Sequence, residues 1–274
     1  MLKLMYITNI PEVASIAEKA GVDRIMVDME YIGKGMRQFG KDTVMNHHTF
    51  EDVWNIRKAI KKAELVVRCN PIHDELPDYV SSEEEIKRVV DLGADYVMLP
   101  YFKTPEEVEK YIDYVDGKAK IYPLLETPEA INCLDDILSV PGIDEIHMGL
   151  NDLGIGYKKK FLFEVLSDGT VEKVSDKLRV KKVPFGFGGI GVPGGGMLPA
   201  ENIIREHYRL GSDRVILSRA FCNTSIEADL DKIRTIFNEG VKKIRAVEQD
   251  CIDGKVDFEE NAEAVRRIVS QIVS

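Results

Sequence analysis

Four groups of polar residues stand directly after short apolar segments, and their side chains could do chemistry together. The groups are Asp28-Met29-Glu30-Tyr31, Arg68-Cys69-Asn70-Pro71, Glu126-Thr127-Pro128 and Gly149-Leu150-Asn151-Asp152. If the apolar segments are parallel strands, these groups meet at one edge, because the carboxyl ends of parallel strands lie together. The sequence therefore predicts that these four groups surround one polar opening of the fold, the mouth.

Glu126 and Asp152 are the candidate metal ligands. They follow neighbouring strands without a cysteine or histidine cluster, which predicts an oxygen-rich site for Mg²⁺ or Mn²⁺ with positions open to water and substrate. Arg68 could balance an oxyanion nearby. The alternative roles are structural: an ion pair or helix cap for the two carboxylates, and a salt bridge to Asp28 or Glu30 for Arg68. Asp28 or Glu30 could also support the metal or cap a loop.

The hydrophobic pattern predicts the scaffold that would bring these residues together. Short apolar segments alternate with amphipathic charged segments, which is typical of parallel strands joined by helical crossovers. Strands are predicted at residues 2–7, 24–29, 65–69, 96–99, 121–125, 145–148, 183–187 and 214–217. Helices are predicted at residues 11–20, 50–62, 81–92, 104–115, 128–138 and 200–210. Ser82 and Glu85 have the spacing of a capping box in the third of these helices.

Eight strands favour an α/β fold of the (β/α)8 TIM barrel type. An open doubly wound sheet is the alternative, but the turn after its first strand is usually rich in glycine, and here it is Thr8-Asn9-Ile10-Pro11. Two connections, residues 33–49 and 154–182, are longer than a barrel needs and follow strands, so they are candidate lids at the C-terminal face. The second is expected to hold its own helix.

Further helices are predicted at residues 227–251 and 258–273. The sequence is therefore divided into a catalytic barrel, residues 1–224, and a C-terminal helical extension, residues 225–274. The extension is expected to pack on the barrel or on a neighbouring subunit of a homo-oligomer.

Composition limits the classes of partner. The net charge of −10 over 274 residues disfavours binding to nucleic acid or to an anionic membrane face. No segment approaches the roughly 18 apolar residues of a membrane span, and the first residues fit a strand better than a signal peptide. The 4 cysteines are spread singly without a C-x-x-C pair, which favours reduced thiols and a cytoplasmic location.

Several segments resemble the HpcH/HpaI aldolase and citrate lyase family. They are Gly21-Val-Asp-Arg-Ile-Met-Val-Asp28-Met-Glu30, Gly93-Ala-Asp-Tyr-Val-Met-Leu-Pro100, Glu126-Thr-Pro-Glu-Ala, and Val140-Pro-Gly-Ile-Asp followed by Gly149-Leu-Asn-Asp152-Leu. The resemblance spans residues 1–224 and implies a phosphoenolpyruvate/pyruvate-type TIM barrel. It also implies a role for each matching residue: Glu126 and Asp152 as metal ligands, Arg68 facing the keto oxygen of the substrate, and the backbone N–H groups of Asn151 and Asp152 receiving its carboxylate. Pro100 and Gly149 join the predicted substrate-binding residues.

One position departs from the family pattern. The aldolase branch has a histidine after Asp-x-Glu that belongs to the proton-transfer machinery, whereas this chain has Tyr31. An unperturbed phenol, with a pKa near 10, is a poor base at pH 7. Either another group moves the proton, with His47 and His48 as candidates, or the protein catalyses a different reaction. The two histidines could instead be a polar approach to the helix near Thr49. The candidate catalytic residues are Arg68, Asp28, Glu30, Tyr31 and His48.

A glycine-rich segment, Gly186 to Gly196, follows the seventh predicted strand. Loops at this place bind phosphate through backbone N–H groups in many barrels. The alternative is a tightly turned loop that shapes the pocket.

The resemblance implies a metal-dependent carbon–carbon lyase of the class II aldolase type. A 2-oxo acid such as pyruvate would chelate the metal, and the metal with Arg68 would stabilise the enolate formed when the bond to an aldehyde breaks or forms. Two alternatives stay open. One is a lyase of acyl-CoA thioesters, which the acidic surface and the lack of an evident Lys/Arg cluster disfavour. The other is a catalytically silent barrel that binds an oxo acid, which Tyr31 keeps open.

Overall fold

Eight parallel strands close into a barrel in the computed structural model, which describes residues 1–37 and 46–274. The strands are β1 Lys3–Ile7, β2 Arg24–Asp28, β3 Glu64–Arg68, β4 Tyr96–Leu99, β5 Lys120–Leu125, β6 Ile146–Met148, β7 Phe185–Ile190 and β8 Arg214–Leu217. Each strand pairs with the next along the chain, and β8 pairs with β1. The predicted (β/α)8 fold is confirmed.

Helices lie between and after the strands. They are α1 Pro11–Lys19, α2 Lys34–Arg37, α3 Phe50–Ala59, α4 Ser82–Asp91, α5 Pro105–Val115, α6 Pro128–Asn132, α7 Leu134–Ile137, α8 Leu150–Gly156, α9 Glu164–Ser167, α10 Thr170–Lys181, α11 Ala200–Leu210, α12 Leu230–Ile252 and α13 Phe258–Val273. The single helix predicted at residues 128–138 is interrupted at Cys133. None of the described helices is long and apolar enough to cross a lipid bilayer.

The predicted capping box of Ser82 and Glu85 is wrong. Ser81 is the N-cap of α4, and its side chain accepts a hydrogen bond from the Glu84 N–H. Ser82 already belongs to the helix, and the Glu85 carboxylate accepts hydrogen bonds from Asn70 instead. The helix begins one residue earlier than the predicted capping box requires. Glu85 therefore binds Asn70 at the carboxyl end of β3 and not the N-terminus of α4.

Successive side chains along a strand point alternately into the barrel and toward the surrounding helices, and this alternation determines which residues fill the barrel. In β2 the side chain of Met26 joins an apolar cluster inside the barrel, whereas Ile25 and Val27 pack in the layer between strands and helices. This is the period of two expected of a strand with both faces buried. The interior cluster is formed by Met5, Met26, Val66, Tyr96, Met98, Tyr122 and Leu124.

An ionic cluster lies below this apolar layer, at the amino ends of the strands. Arg24 is fully buried, donates to both carboxylate oxygens of Glu145 at 2.6 and 3.0 Å, and lies 4.1 Å above the ring centre of Tyr96. Arg214 pairs with the same Glu145 carboxylate. The absence of a side chain at Gly186 makes room for Arg214, because a Cβ there would lie 2.4 Å from the Arg214 Cγ.

The two C-terminal helices pack on the barrel. Helix α12 contacts α1 and α11, so it lies between the first barrel helix and the helix that precedes β8. Helix α13 contacts α9 and α11. Of the two placements expected for these helices, the described residues show contact with the barrel. The domain boundary at residue 224 and the oligomeric state stay predictions.

Candidate active site

A cavity of about 450 Å³ opens at the carboxyl ends of the strands, where barrel active sites lie. The predicted site residues that line it are Asp28, Arg68, Glu126, Gly149, Asn151 and Asp152. The ends of β2, β3, β5 and β6 thus bring together acidic, basic and amide groups far apart in the chain. Pro100, Glu30, Tyr31 and His48 lie outside the cavity lining.

Glu126 follows β5 and is almost completely buried, with 2% of its surface exposed. One carboxylate oxygen accepts a hydrogen bond from the Tyr101 N–H at 3.1 Å, and this backbone donor follows the buried Pro100. The other oxygen lies against Gly149, because a Cβ built there would be 2.5 Å from it. Gly149 therefore acts by lacking a side chain, which lets β6 approach the Glu126 carboxylate.

Asn151 and Asp152 lie in the first turn of α8, which begins directly after β6. Asp152 is buried and borders the cavity. The first backbone N–H groups of a helix have no acceptor within the helix. The turn therefore offers N–H donors beside a carboxylate at the same mouth.

The oxygen donors of this mouth fit a divalent cation such as Mg²⁺ or Mn²⁺. Glu126 and Asp152 are buried carboxylates that line one cavity. The part of the chain that the structure describes contains no group of three or more Cys, His, Asp or Glu side chains that could hold a metal. A cation at this mouth would therefore take two side-chain ligands and complete its coordination with water and substrate.

Arg68 is fixed by two parallel hydrogen bonds to Asp28. Its Nε and Nη2 donate to the two carboxylate oxygens, both at 2.7 Å, and its Nη1 lies 3.4 Å from Glu30. Burial alone would raise the pKa of Asp28, but the Arg68 guanidinium holds it well below its ordinary value, with help from Lys34. The salt bridge considered as an alternative is thus present, and Arg68 still borders the cavity. The bridge orients the guanidinium without removing it from the mouth.

Lys34 and Asn46, two cavity residues beside Asp28, were not predicted from the sequence. Lys34 lies in the four-residue helix α2 and is buried, with its Nζ 3.4 Å from Asp28 and 3.2 Å from Glu30. Asn46 donates a hydrogen bond to Asp28 at 2.8 Å. Both lie in the long connection after β2, which has no apolar period to orient it. The only sequence signal is that Lys34 follows Glu30 by four residues, the spacing of a helical ion pair.

His48 supports the mouth from outside. Its Nδ1 accepts a hydrogen bond from the Asp28 N–H at 2.9 Å, so a proton on the neutral ring is carried by Nε2. Burial lowers the pKa of His48 below its ordinary value, which favours this neutral form. Residues 38–45, which belong to the connection predicted as a candidate lid, lie outside the described residues.

Tyr31 does not line the cavity. Its N–H donates to the Asn70 side-chain oxygen at 2.9 Å, and its ring meets the ring of Tyr79 edge to face with centres 5.3 Å apart. Glu30, one residue earlier, is fully buried beside Arg68. The position that has a histidine in the aldolase branch thus contributes to loop packing in this chain.

His147 forms part of the cavity floor. Its Nε2 donates to the Gly188 carbonyl at 3.0 Å, and burial lowers its pKa to about 4. The ring is therefore neutral near pH 7 and held in one orientation, as expected for a structural histidine.

The glycine-rich segment contributes Gly188 and Gly189 to the cavity. Gly188 has a φ of +54°, and a Cβ there would lie 2.9 Å from Leu150, so a side chain at this bulge would meet α8. The Gly194 N–H donates to the Glu201 carboxylate at 3.0 Å. One N–H of the segment is thus used by the chain itself, and phosphate binding stays a prediction.

The loop after β8 also lines the cavity. Its contributing residues are Ser218, Arg219, Cys222, Asn223, Thr224 and Ser225. These residues were not predicted, although their polar side chains directly after the eighth predicted strand are a signal for this edge of the barrel.

Comparisons with known proteins agree on family and fold. The sequence profile of the HpcH/HpaI aldolase/citrate lyase family matches residues 4–165. No curated protein gives a significant match to the chain.

Solved structures share the fold at low identity. A HpcH/HpaI aldolase/citrate lyase family protein from Burkholderia cenocepacia J2315 has 15% identity and a TM-score of 0.60, with 85% of this chain and 95% of that chain covered. A HpcH/HpaI aldolase from Desulfitobacterium hafniense DCB-2 has 16% identity and a TM-score of 0.58, with 89% and 93% covered. The citrate synthase SbnG has 17% identity and a TM-score of 0.59, with 85% and 94% covered.

The profile match extends over more than half of the chain and contains β1 to β6 with Asp28, Arg68, Glu126 and Asp152. The chain therefore belongs to the HpcH/HpaI aldolase/citrate lyase family of enzymes.

Proposed function

We propose that this protein is a metal-dependent carbon–carbon lyase that breaks or forms the bond between C3 of a pyruvate-like 2-oxo acid and the carbonyl carbon of an aldehyde. The observation that carries the proposal is the mouth itself. The guanidinium of Arg68, oriented by Asp28, borders the same cavity as the buried carboxylates of Glu126 and Asp152.

Glu126 and Asp152 would hold the cation, Mg²⁺ or Mn²⁺. When bound, the cation supplies Lewis-acid polarisation of the substrate's keto oxygen. The carboxylates suit this role because both are buried, and because the Tyr101 N–H and the missing side chain at Gly149 fix the position of Glu126.

Arg68 would stabilise the negative charge that develops on the keto oxygen as the enolate forms. Such a donor is effective when it is held in place before the reaction, because no reorganisation is then needed. Asp28 provides this restraint through its two hydrogen bonds. Burial would lower the pKa of Arg68, but Asp28 and Glu30 keep it well above its ordinary value, so the guanidinium stays charged.

The backbone N–H groups of Asn151 and Asp152 would bind the carboxylate of the 2-oxo acid. They lie in the first turn of α8, where donors lack intrahelical acceptors and the helix dipole favours an anion. The cavity of about 450 Å³ is larger than a three-carbon acid needs, which leaves room for an aldehyde above it.

Exchange of the pyruvate methyl protons for deuterium tests the proposal, because it requires the enolate but no aldehyde. The protein is incubated with pyruvate and Mg²⁺ in D₂O, and the methyl signal is followed by NMR with and without a chelator. We expect metal-dependent exchange that falls about 100-fold or more in Glu126→Gln and in Asp152→Asn, because both the cation and its polarisation are lost. Glu129→Gln, an exposed carboxylate three residues from Glu126, is the matched control.

Metal content and pyruvate binding of the same samples identify the reason for a negative result. If wild-type protein binds both Mg²⁺ and pyruvate but neither exchanges the methyl protons nor decarboxylates oxaloacetate, which gives the same enolate, the lyase proposal fails and the silent binding barrel is favoured. If exchange persists in chelator, metal dependence is wrong. The same assay run with an acyl-CoA thioester in place of pyruvate tests the citrate-lyase-type alternative.

A further inference from the structure

A buried lysine borders the proposed enolate site. Lys34 begins helix α2 and lines the cavity, although only 4% of it is exposed. Its ammonium group lies 3.4 Å from a carboxylate oxygen of Asp28 and 3.2 Å from one of Glu30. A buried lysine is unfavourable unless it is paired with opposite charge, and here two carboxylates pair with it.

The same two carboxylates also hold Arg68, so the ammonium and the guanidinium are neighbours. Arg68 bonds both oxygens of Asp28, and its Nη1 lies 3.4 Å from the Glu30 oxygen that Lys34 approaches. Among the described residues, Lys34 and Arg68 thus share the same two carboxylates, and both cations line the cavity. An ammonium has three N–H donors, and the two carboxylate contacts leave one more available to the cavity.

Other described groups at the cavity are less suited to transfer a proton. His147 is held neutral by its low pKa, and its Nε2 proton is bonded to the Gly188 carbonyl. The Tyr6 hydroxyl donates to the Cys222 carbonyl, and burial raises the pKa of Tyr6. Burial likewise raises the pKa of the Cys222 thiol. The Asp28 oxygens are already bonded to cations, and guanidinium groups do not release protons near neutral pH.

We infer that Lys34 is the proton-transfer residue of the enolate step, a catalytic role that rests on the proposed lyase function. In the cleavage direction the carbon–carbon bond breaks, the hydroxyl proton of the adduct leaves as the aldehyde forms, and the bonding electron pair remains as the enolate of the 2-oxo acid. One ammonium proton of Lys34 then moves to C3, where the enolate electron pair forms the new C–H bond and the keto group is restored. The neutral amine regains a proton from water, which has taken up the hydroxyl proton, so no net proton is consumed. In the reverse direction the amine takes a proton from the methyl group.

Two reactions separate proton transfer from enolate stabilisation. Methyl exchange in pyruvate needs a group that removes a proton from carbon. Decarboxylation of oxaloacetate produces the same enolate by loss of CO₂, so it needs the cation and Arg68 but no base. Both are measured with Mg²⁺, and the rate of oxaloacetate loss caused by the metal alone is subtracted.

In Lys34→Met we expect methyl exchange to fall about 100-fold or more, the usual contribution of a general acid or base, while decarboxylation falls by less than about tenfold. In Arg68→Lys both reactions are expected to fall together. Lys103→Met, which changes an exposed lysine paired with Glu129, is the matched control and should leave both rates as in wild type.

Lys34→Arg keeps the inference testable if the methionine variant does not fold. The guanidinium preserves the positive charge between Asp28 and Glu30 but is not deprotonated at neutral pH, so it cannot take a proton from carbon. We expect it to lose exchange as the methionine variant does. Exchange within threefold of wild type in either folded variant would overturn the role of Lys34. Wild-type protein that decarboxylates oxaloacetate without exchanging pyruvate would overturn it as well and leave the proposed lyase function standing. Wild-type protein that does neither would overturn the lyase function first.

Discussion

At the scale of single residues, the mouth depends on close approaches that leave no space for added atoms. Gly149 is the clearest case, because the Glu126 carboxylate occupies the volume that a side chain would take. A residue that contributes no functional group thus positions one that does. Groups that position a metal ligand without binding the metal themselves commonly have a strong effect on metal affinity.

Gly149→Ala is expected to weaken Mn²⁺ binding about 10-fold to 100-fold, because the new methyl group would displace Glu126. Titration calorimetry of the purified protein measures the affinity. Gly195→Ala is the control, since a Cβ there would meet its first neighbour, the Val192 carbonyl oxygen, at 3.5 Å. Equal Mn²⁺ affinity in Gly149→Ala and wild type would show that Glu126 is not a ligand or that it relaxes freely.

The buried His147 is expected to make the free energy of unfolding depend on pH. Burial lowers its folded-state pKa to about 4, whereas an unfolded histidine has a pKa near 6.5. The unfolded chain therefore binds more protons in this window, and the stabilisation is present above pH 6.5 and lost as the pH falls toward 4.

We expect the free energy of unfolding of wild type, relative to His147→Gln, to decrease by about 2 kcal/mol between pH 7 and pH 5. Urea unfolding at several pH values measures this difference. A difference that does not vary with pH would contradict a neutral, buried His147.

At the scale of elements, Asn70 and its partner Glu85 hold the loop between β2 and α2 in place. The side-chain oxygen of Asn70 accepts the N–H groups of Tyr31 and Ile32 at 2.9 and 3.0 Å. Asn70 in turn donates from its backbone and side chain to Glu85, and burial raises the pKa of that carboxyl. The third strand and α4 thereby hold the segment that carries Lys34.

Asn70→Ala is expected to increase amide hydrogen exchange of residues 29–35 about tenfold, because two N–H groups lose their acceptor. Exchange followed by mass spectrometry resolves this peptide. The pyruvate exchange rate should fall in the same variant, since Lys34 is no longer held. Asn9→Ala removes a hydrogen bond to Asp52 outside the cavity lining and serves as the control. Unaltered protection of residues 29–35 would show that Asn70 does not hold this segment in place.

The elements differ in how far the sequence could predict them. The strands were found because their apolar runs are short and regularly spaced, and strand ends such as Asp28 and Glu126 then followed from topology. Lys34 could not be found this way, because a helix of four residues is too short to show a period. Tyr31 was placed at the mouth by its neighbours in sequence, but its ring turns to Tyr79 after the strand has ended.

At the scale of the whole molecule, α12 covers the face of the barrel between α11 and α1. Phe237 is fully buried and packs edge to face on Tyr6 of β1, with ring centres 4.8 Å apart, and at 5.3 Å from Phe221. Gly240 lets α12 approach, because a Cβ there would lie 2.7 Å from the Phe221 ring. Helix α12 thus packs against both the first strand and the loop after the last one.

Phe237→Ala is expected to lower the free energy of unfolding by about 3–5 kcal/mol, the range for large aromatic deletions in a core. Guanidinium unfolding is followed both by circular dichroism and by the fluorescence of Trp54, and the two transitions should coincide if barrel and α12 unfold together. Ile252→Ala, at a side chain that is 53% exposed, should change stability by no more than about 0.5 kcal/mol. Separate transitions for the two signals would show that α12 unfolds independently of the barrel.

The filled interior of the barrel gives the reaction chamber a closed end. The methionine and tyrosine layer and the Arg24–Glu145–Arg214 cluster beneath it occupy the barrel axis, so molecules enter and leave through the same rim. On the proposed reaction, the oxo acid binds deepest and the aldehyde lies between it and solvent. The aldehyde must then depart first, and steady-state kinetics should be ordered, with excess aldehyde trapping the oxo acid behind it.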